Sequence, residues 1–463
     1  FLGTEFYSAV IREILANPEA YGRSEYGRDE KVMVEFVSAN PTGPMHMGNA
    51  RGGALGDCLA AVLDKAGYNA WREFYVNDAG NQIEKFGCSL EARYLQIFKG
   101  DEIEFPEDGY QGEDIKDLAK EYADLNGDSL VNVSAEERKK ALVDYALPKN
   151  IKKMQADMEK YKIFYDKWFF ESELHKSGAV KAVVDLLTEK GLTYEKDGAV
   201  WYKNKEVLTQ KLLKEGKSQK YIDNLELKDD VLIRQNGNPT YFTADIAYHK
   251  NKFDRGFTTL IDVWGADHHG HVMRMKGAMD AIGYDGDKLN VVLMQLVKLV
   301  KDGELVRMSK RTGKAIQLGD LLDEVPVDSA RFLFNTKEAN TQMDFDLDLA
   351  VSQDNQNPVY YVQYAHARIC SIFKSLAKEG ISPRECTDAE LALLTAPEEK
   401  ELINHLASYT NEIISAAKDY DPTKVTRYVT QLATLFHKFY NACRVKGEEE
   451  GLMQARLALC NCV

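Results

Sequence analysis

The interpretable pattern begins with a short apolar, β-branched run at residues 32–37 (V-M-V-E-F-V), then a loop punctuated by Gly and Pro over 38–48 and a small-residue stretch over 49–65. Short β-branched runs closed by glycine or proline predict strands, and longer periodic stretches predict helices. The segment reads as strand, loop and helix, with Gly67 as the helix stop and residues 71–76 as a second strand, which completes a βαβ unit. From about residue 90 to 230 the pattern turns charged and mostly helical, with acidic stretches near 101–113 and a lysine-rich part over 203–228. We read that part as an insertion. Strand-like runs return at 231–234 and at 260–264, the latter closed by Gly265 and followed by a helical pattern to residue 282; residues 289–300 form a further apolar run. The alternation predicts an α/β fold with a split, doubly wound parallel sheet, whose ligands collect at the carboxyl ends of strands. After residue 351 the pattern is helical to the end, with amphipathic segments near 359–378, 400–418 and 424–444.

Composition narrows the picture only slightly. A chain of 463 residues with 44% hydrophobic side chains should divide into two or three packed units. No stretch reaches the roughly 18 to 20 apolar residues a membrane helix needs, and no basic-then-apolar leader opens the chain, so a soluble, cytoplasmic protein without membrane contact is expected. The start at Phe1 and the stop at Val463 inside an apolar helical pattern suggest a piece of a longer chain. Seven scattered cysteines without a C-x-x-C pair point to reduced thiols rather than disulfides or structural zinc. The net charge of -14 argues against indiscriminate coating of nucleic acid, but a local basic surface suffices for specific RNA binding.

Two loops carry candidate chemistry. In P-M-H-M-G-N, residues 44–49, a helix starts directly after a strand. Its unpaired N–H groups suit an anion, Gly48 permits close backbone approach, and His46 can stabilise charge on a phosphate. In R-M-S-K-R-T-G, residues 307–313, Lys310 lies between small residues on a polar loop and can clamp triphosphate oxygens. Each alone has a bland reading, as a packing histidine or a solvated basic loop.

Together and in this order they resemble the paired H-I-G-H and K-M-S-K signatures of the class I aminoacyl-tRNA synthetases. The stretches V-E-F-V-S-A-N-P-T-G-P-M-H (34–46) and Y-F-T-A-D-I-A (241–247) resemble the arginyl branch of that family. The resemblance implies a Rossmann-like parallel-sheet catalytic domain over residues 1–350, with a mostly helical insertion at about 100–230 and a signature-loop and linker region at about 301–350. An all-α helical bundle that binds the anticodon would follow over residues 351–463. His46 and Lys310 would be the catalytic residues. Gly48, Asn49, Gly265, Asp267, Met308 and Ser309 would join them in binding ATP. Glu35, Ser38, Ala39, Asn40, Asn49, Tyr241, Asp245 and His268 would line the arginine pocket. A guanidinium offers a planar fork of donors that a carboxylate such as Asp245 can take two at a time, whereas lysine fits such a fork poorly.

The resemblance further implies ATP with magnesium (Mg2+), L-arginine and tRNA(Arg) as substrates and partners, no dedicated metal site, a monomer, and a first step that needs tRNA. In N-P-V-Y-Y-V-Q-Y-A-H-A-R, residues 357–368, the residues Tyr360, Tyr364 and Arg368 are the candidates for contact with tRNA, by stacking and phosphate pairing. The sequence departs from the signatures at Asn49, which replaces the second histidine, and at Arg307, which replaces the first lysine. The cluster Asp267, His268, His269 and His271 has a competing reading as a metal site. Rival functions are a nucleotidylyltransferase-like enzyme and a non-catalytic, synthetase-like RNA-binding protein. A cysteinyl relative would be expected to hold zinc through cysteines, and no such set occurs.

Overall fold

The computed structural model describes residues 3–306 and 316–463, apart from the side chain of Asp101. Among the described residues eleven strands form three sheets. In chain order they are β1 (Lys31–Glu35), β2 (Asn69–Val76), β3 (Lys167–Phe170), β4 (Thr193–Lys196), β5 (Ala199–Tyr202), β6 (Asp230–Ile233), β7 (Thr259–Gly265), β8 (Leu289–Met294), β9 (Val297–Lys301), β10 (Glu304–Leu305) and β11 (Met343–Asp346).

The main sheet is parallel throughout, in the order β3-β2-β1-β7-β8. All-parallel sheets need helices on both faces, and side chains alternate along each strand, so β1 serves two cores. Val32 and Val34 face the core shared with the helix Met47–Lys65, whereas Met33 faces the core under the helices Tyr241–Asp254 and His269–Ile282. Small residues let the first of these helices lie close to the strands. A Cβ at Gly56 would stand 2.2 Å from Phe36, and one at Gly53 would stand 2.9 Å from Ile163.

Three features differ from the sequence expectation. The 81–160 region packs the helices Asn81–Lys99, Glu113–Asn126 and Ala135–Lys160 around a core of their own, with Phe86, Leu90, Ile115 and Leu142 buried. Past it, inside the expected insertion, β3 returns to the main sheet and pairs with β2 as its edge. The run at 231–234 does not rejoin that sheet. It is β6, antiparallel to β5 in the order β4-β5-β6, because the nearby hairpin satisfies its backbone locally. The apolar run 289–300 is two strands in two sheets, broken at Gln295 and Leu296, with Leu296 74% exposed.

The C-terminal helices Pro358–Ala377, Pro397–Ala407, Tyr409–Lys418, Thr423–Ala442 and Glu450–Cys462 form the expected bundle region. The helix Thr4–Ala16 belongs with them physically: Tyr7, Val10, Ile11 and Ile14 are buried in the same core as Leu402, Phe436 and Leu457. Ile413, Ala416 and Ala417 attach the bundle to the sheet core. Among the described residues no helix is long and apolar enough to cross a membrane.

Candidate active site

The carboxyl end of β1 leads into the loop that starts the helix Met47–Lys65, and His46 is its N-cap. The His46 Nδ1 accepts from the Gly48 N–H at 3.2 Å, and the His46 N–H donates to Asn49 Oδ1 at 2.9 Å. These reciprocal bonds form a capping box that satisfies two of the donors a helix start leaves unpaired. Gly48 eases the approach, since a Cβ there would stand 3.1 Å from the His46 ring, a tight contact. Partial removal from water pushes the imidazole pKa down, which keeps Nδ1 an acceptor.

Residues Met308, Ser309 and Lys310 lie outside the described residues, as does Arg307. From residue 316 onward the chain is tied to the same corner: Gln317 bridges to His46, and the Leu318 N–H donates to the Met45 carbonyl at 2.8 Å. A cavity of 740 Å³ opens there, lined by Pro44, His46, Asp114, Gln317 and Asp320 among others.

At the end of β1 the backbone turns through two left-handed residues, Val37 at φ 71° and Ser38 at φ 44°. Such geometry costs about 1–3 kcal/mol per residue and is uncommon for a β-branched side chain. Hydrogen bonds hold it in place. The Ser38 hydroxyl donates to Glu35 Oε1 at 2.7 Å and accepts from the Tyr75 N–H at 3.2 Å, while the Tyr165 hydroxyl donates to the Phe36 carbonyl at 3.1 Å. Ala39 packs half-buried against the core, and Asn40 is exposed.

The carboxylate of Glu35 points inward, where the Lys252 ammonium donates to Oε2. Lys252 also donates to Asp262 Oδ1 at 2.8 Å, and His249 Nε2 lies 2.7 Å from Asp262 Oδ2. All four groups are buried. Burial pushes the Asp262 carboxyl up, but Lys252 and His249 pull it further down, to about 2. At Glu35 burial prevails over Lys252, and its pKa is raised. Glu35, His249 and Asp262 present ligand atoms within 4.8 Å of one another, the one such set among the described residues. That set already holds a cation, the Lys252 ammonium.

Asp245 lies two turns before Lys252 on the same helix. It keeps its carboxylate at the surface of the pocket, 34% exposed, with His271 Nε2 at 2.8 Å from Oδ2. Near it stands Glu171, which follows the carboxyl end of β3. The Tyr75 hydroxyl donates to Glu171 Oε2 at 2.8 Å, and His175 lies 3.2 Å from Oε1. Burial raises the Glu171 pKa, and the neighbouring charge of Asp245 adds to the rise. No lysine or arginine pairs with Asp245 or Glu171 among the described residues. Tyr241 is 40% exposed, feels the charge of Glu171, and takes a hydrogen bond from the Gln82 backbone. Tyr241 and Asp245, one turn apart on one helix, both lie close enough to Glu171 to interact with its charge, and Ser38 joins this group through Tyr75, whose amide donates to Ser38 and whose hydroxyl donates to Glu171.

The corner after β7 is looser. Asp267, His268 and His269 are exposed, and only His271 of that cluster turns towards Asp245. His268 Nε2 lies 3.6 Å from Asp267 Oδ2. Gly265 allows the Asp267 carboxylate to fold back, since a Cβ there would stand 2.4 Å from Oδ1.

On the bundle, Tyr360 and Tyr364 stack with ring centres 6.2 Å apart, and Arg368 donates to the Tyr364 hydroxyl at 2.7 Å. The Arg368 guanidinium also lies over Tyr440 at 4.6 Å. Tyr364, Arg368 and Tyr440 edge a groove of 630 Å³ that Arg444 and Lys446 make basic. Tyr361, by contrast, packs inward against His437.

The sequence reading passes over Lys252, His249, Asp262 and Glu171. A signal did exist for one of them: Asp262 interrupts the apolar strand L-I-D-V-W, and an ionised residue there requires a buried partner. Nothing local marks Lys252 as that partner.

The description "tRNA synthetases class I (R), catalytic domain" matches residues 10–370, and "DALR anticodon binding domain" matches residues 362–463. The arginine--tRNA ligase of Ruminiclostridium cellulolyticum is 56% identical over 463 residues, spanning 100% of this chain and 79% of that one. That of Acetivibrio thermocellus is 55% identical over 461 residues, with 99% and 79% covered. Among solved structures, an arginyl-tRNA synthetase from Campylobacter jejuni superposes with a TM-score of 0.84 at 34% identity, covering 100% of this chain and 96% of that chain.

Proposed function

The chain belongs to the class I arginyl-tRNA synthetases, the arginine--tRNA ligases, and on that premise we propose how its residues share the reaction. The family activates L-arginine with ATP and joins it to tRNA(Arg), which leaves the nucleotidylyltransferase and non-catalytic readings without support. In the first step the arginine carboxylate attacks the α-phosphate of ATP, the bond to the β-phosphate oxygen breaks, and pyrophosphate leaves. In the second a ribose hydroxyl at the tRNA 3′ end attacks the activated carbonyl and AMP leaves. No protein nucleophile is needed.

His46 stabilises charge on the phosphates from the start of the helix Met47–Lys65, with Gly48 and Asn49 shaping that corner for the anion. Lys310, with Met308 and Ser309, takes the triphosphate by virtue of its match to the second lysine of the signature. Gly265 and Asp267 border the nucleotide at the end of β7. Magnesium would arrive with ATP as part of the substrate and neutralise charge on the phosphates; Asp320, exposed in the cavity beside His46, would suit its hydration shell. Ser38, Ala39, Asn40 and His268 line the arginine backbone side of the pocket, with Glu35 holding Ser38 from beneath. Tyr364 and Arg368, in the basic groove, and Tyr360, stacked on Tyr364, contact tRNA. The catalytic part occupies residues 1–350 and the anticodon-binding part residues 351–463, with the helix Thr4–Ala16 docked on the latter. We place the enzyme in the cytoplasm as a monomer.

One observation carries the pocket assignment: Asp245 and Glu171, which form the acidic side of the proposed arginine recess, have histidines but no lysine or arginine beside them among the described residues, while the buried carboxylates Glu35 and Asp262 are paired by Lys252. A guanidinium supplies the missing charge and its fork of donors. Asp245→Ala is expected to raise the arginine KM by about 10- to 100-fold, since a charge-assisted hydrogen bond contributes about 1.5–3 kcal/mol. ATP affinity should hold. Arginine-dependent exchange of labelled pyrophosphate into ATP, with tRNA added, measures both; equal loss of arginine and ATP affinity would refute the assignment.

A further inference from the structure

Glu35 and Asp262 are register partners on the adjacent parallel strands β1 and β7, on the same buried face of the sheet. Side-by-side carboxylates in a buried sheet repel each other unless a cation joins them. Lys252, on the helix Tyr241–Asp254 that covers this face, joins them with one ammonium and is itself wholly buried. Two chains of hydrogen bonds leave this point. Through Glu35 one reaches the Ser38 hydroxyl at 2.7 Å and, beyond it, the Tyr75 amide at 3.2 Å, so that it grips the left-handed turn at Val37 and Ser38. Through Asp262 the other reaches His249 Nε2 at 2.7 Å, whose Nδ1 lies 2.8 Å from the carbonyl oxygen of Asp245.

The turn needs such a grip, because an unrestrained L-residue, and a β-branched one above all, leaves positive φ for the extended or right-handed regions. We propose that Lys252 is a positioning residue for arginine binding, which fixes both walls of the pocket, residues 38–40 and Asp245, from inside the sheet. It touches no substrate and acts only through Ser38 and Asp245. The inference rests on the assignment of arginine to this recess.

Pyrophosphate exchange on the whole chain, with tRNA present, gives separate KM values for arginine and ATP. Lys252→Met is expected to raise the arginine KM by about tenfold or more while the ATP KM stays within about twofold, and Lys252→Arg, which keeps the charge, should recover most of the loss. Val37→Gly removes the strain the network opposes. Alone it should change little; combined with Lys252→Met it should bring the arginine KM back to within about threefold of the parent.

A rise in both KM values together, an unchanged arginine KM, or a defect that persists undiminished in the Val37→Gly background would each overturn the positioning role. If Lys252→Met does not fold, Lys252→Gln is scored by the same ratio, with and without Val37→Gly. Asp245→Ala run alongside separates the two claims. If it leaves the arginine KM untouched, the pocket assignment fails; if it alone raises that KM, only the role of Lys252 fails.

Discussion

Asn49 stands where the family signature has its second histidine, and its amide oxygen accepts the His46 N–H in the capping box. The departure therefore keeps a structural bond at the helix start while giving up a group that could carry charge. His46 itself is committed to accepting from Gly48, which requires the neutral ring. Its lowered pKa has a definite consequence for stability. In the unfolded chain the imidazole takes up a proton near pH 6.5, whereas the folded ring resists until lower pH. The unfolded state then binds more protons, so stability is full above about pH 6.5 and falls as pH drops towards the folded value. As urea midpoints are taken from about pH 7.5 down to 5.5, the parent should lose stability relative to His46→Gln. Identical slopes in parent and variant would show that His46 is not held neutral by the fold. At this scale the sequence was informative about His46, Tyr241 and Asp245, whose residue types state their chemistry. It was mute about Lys252 and Glu171, because a lysine on a helix and a glutamate after a strand look solvated until their neighbours are known.

Among the elements, the ones bounded by local signals were the most legible. The strand β1, its glycine-rich loop and the helix after it follow from β-branched residues, a cap and small side chains within about forty positions of sequence. Strand β6 was legible as a strand but not by its sheet, since a run of four residues carries no information about which edge it meets. The break at Gln295 was likewise hidden in a continuous apolar run; its carbonyl is held by Arg51 at 2.8 Å, from a helix 244 residues earlier. The helix Thr4–Ala16 shows the same limit. Ile11 is fully buried in the C-terminal core, among residues far from it in sequence, so Ile11→Ala is expected to cost about 2–5 kcal/mol. Thermal melts of the whole chain test this; a loss under about 1 kcal/mol would mean that the helix is not docked in solution.

In the molecule as a whole, the sheet and the bundle meet along the helices Met47–Lys65 and Tyr409–Lys418 and are pinned by charge as well as packing. Asp57 pairs with both Arg72 and Arg331, tying the sheet to the helix Val327–Phe334 that leads towards the bundle. Such a junction ties the bundle, with its aromatic and basic groove, to the sheet that carries the proposed arginine site. The groove should therefore act on tRNA alone. Tyr364→Ala and Arg368→Ala are each expected to raise the tRNA KM in aminoacylation by about tenfold, the scale of one lost stacking contact, with arginine and ATP KM little changed. An unaltered tRNA KM in both variants would remove the groove from the interface.

What the sequence determined by itself is whatever depends on near neighbours and residue type: the βαβ opening, the helix start capped by His46 and the helical C-terminal region. Periodicity, caps and glycine act over a few residues, so they are written along the chain. Tertiary structure alone decided that Lys252 lies between Glu35 and Asp262, that Glu171 comes to Asp245 from another strand, and that the first helix completes the last core. Those arrangements join residues tens to hundreds of positions apart. Their energy comes from burial and charge pairing in three dimensions, for which no local pattern of the chain is a record.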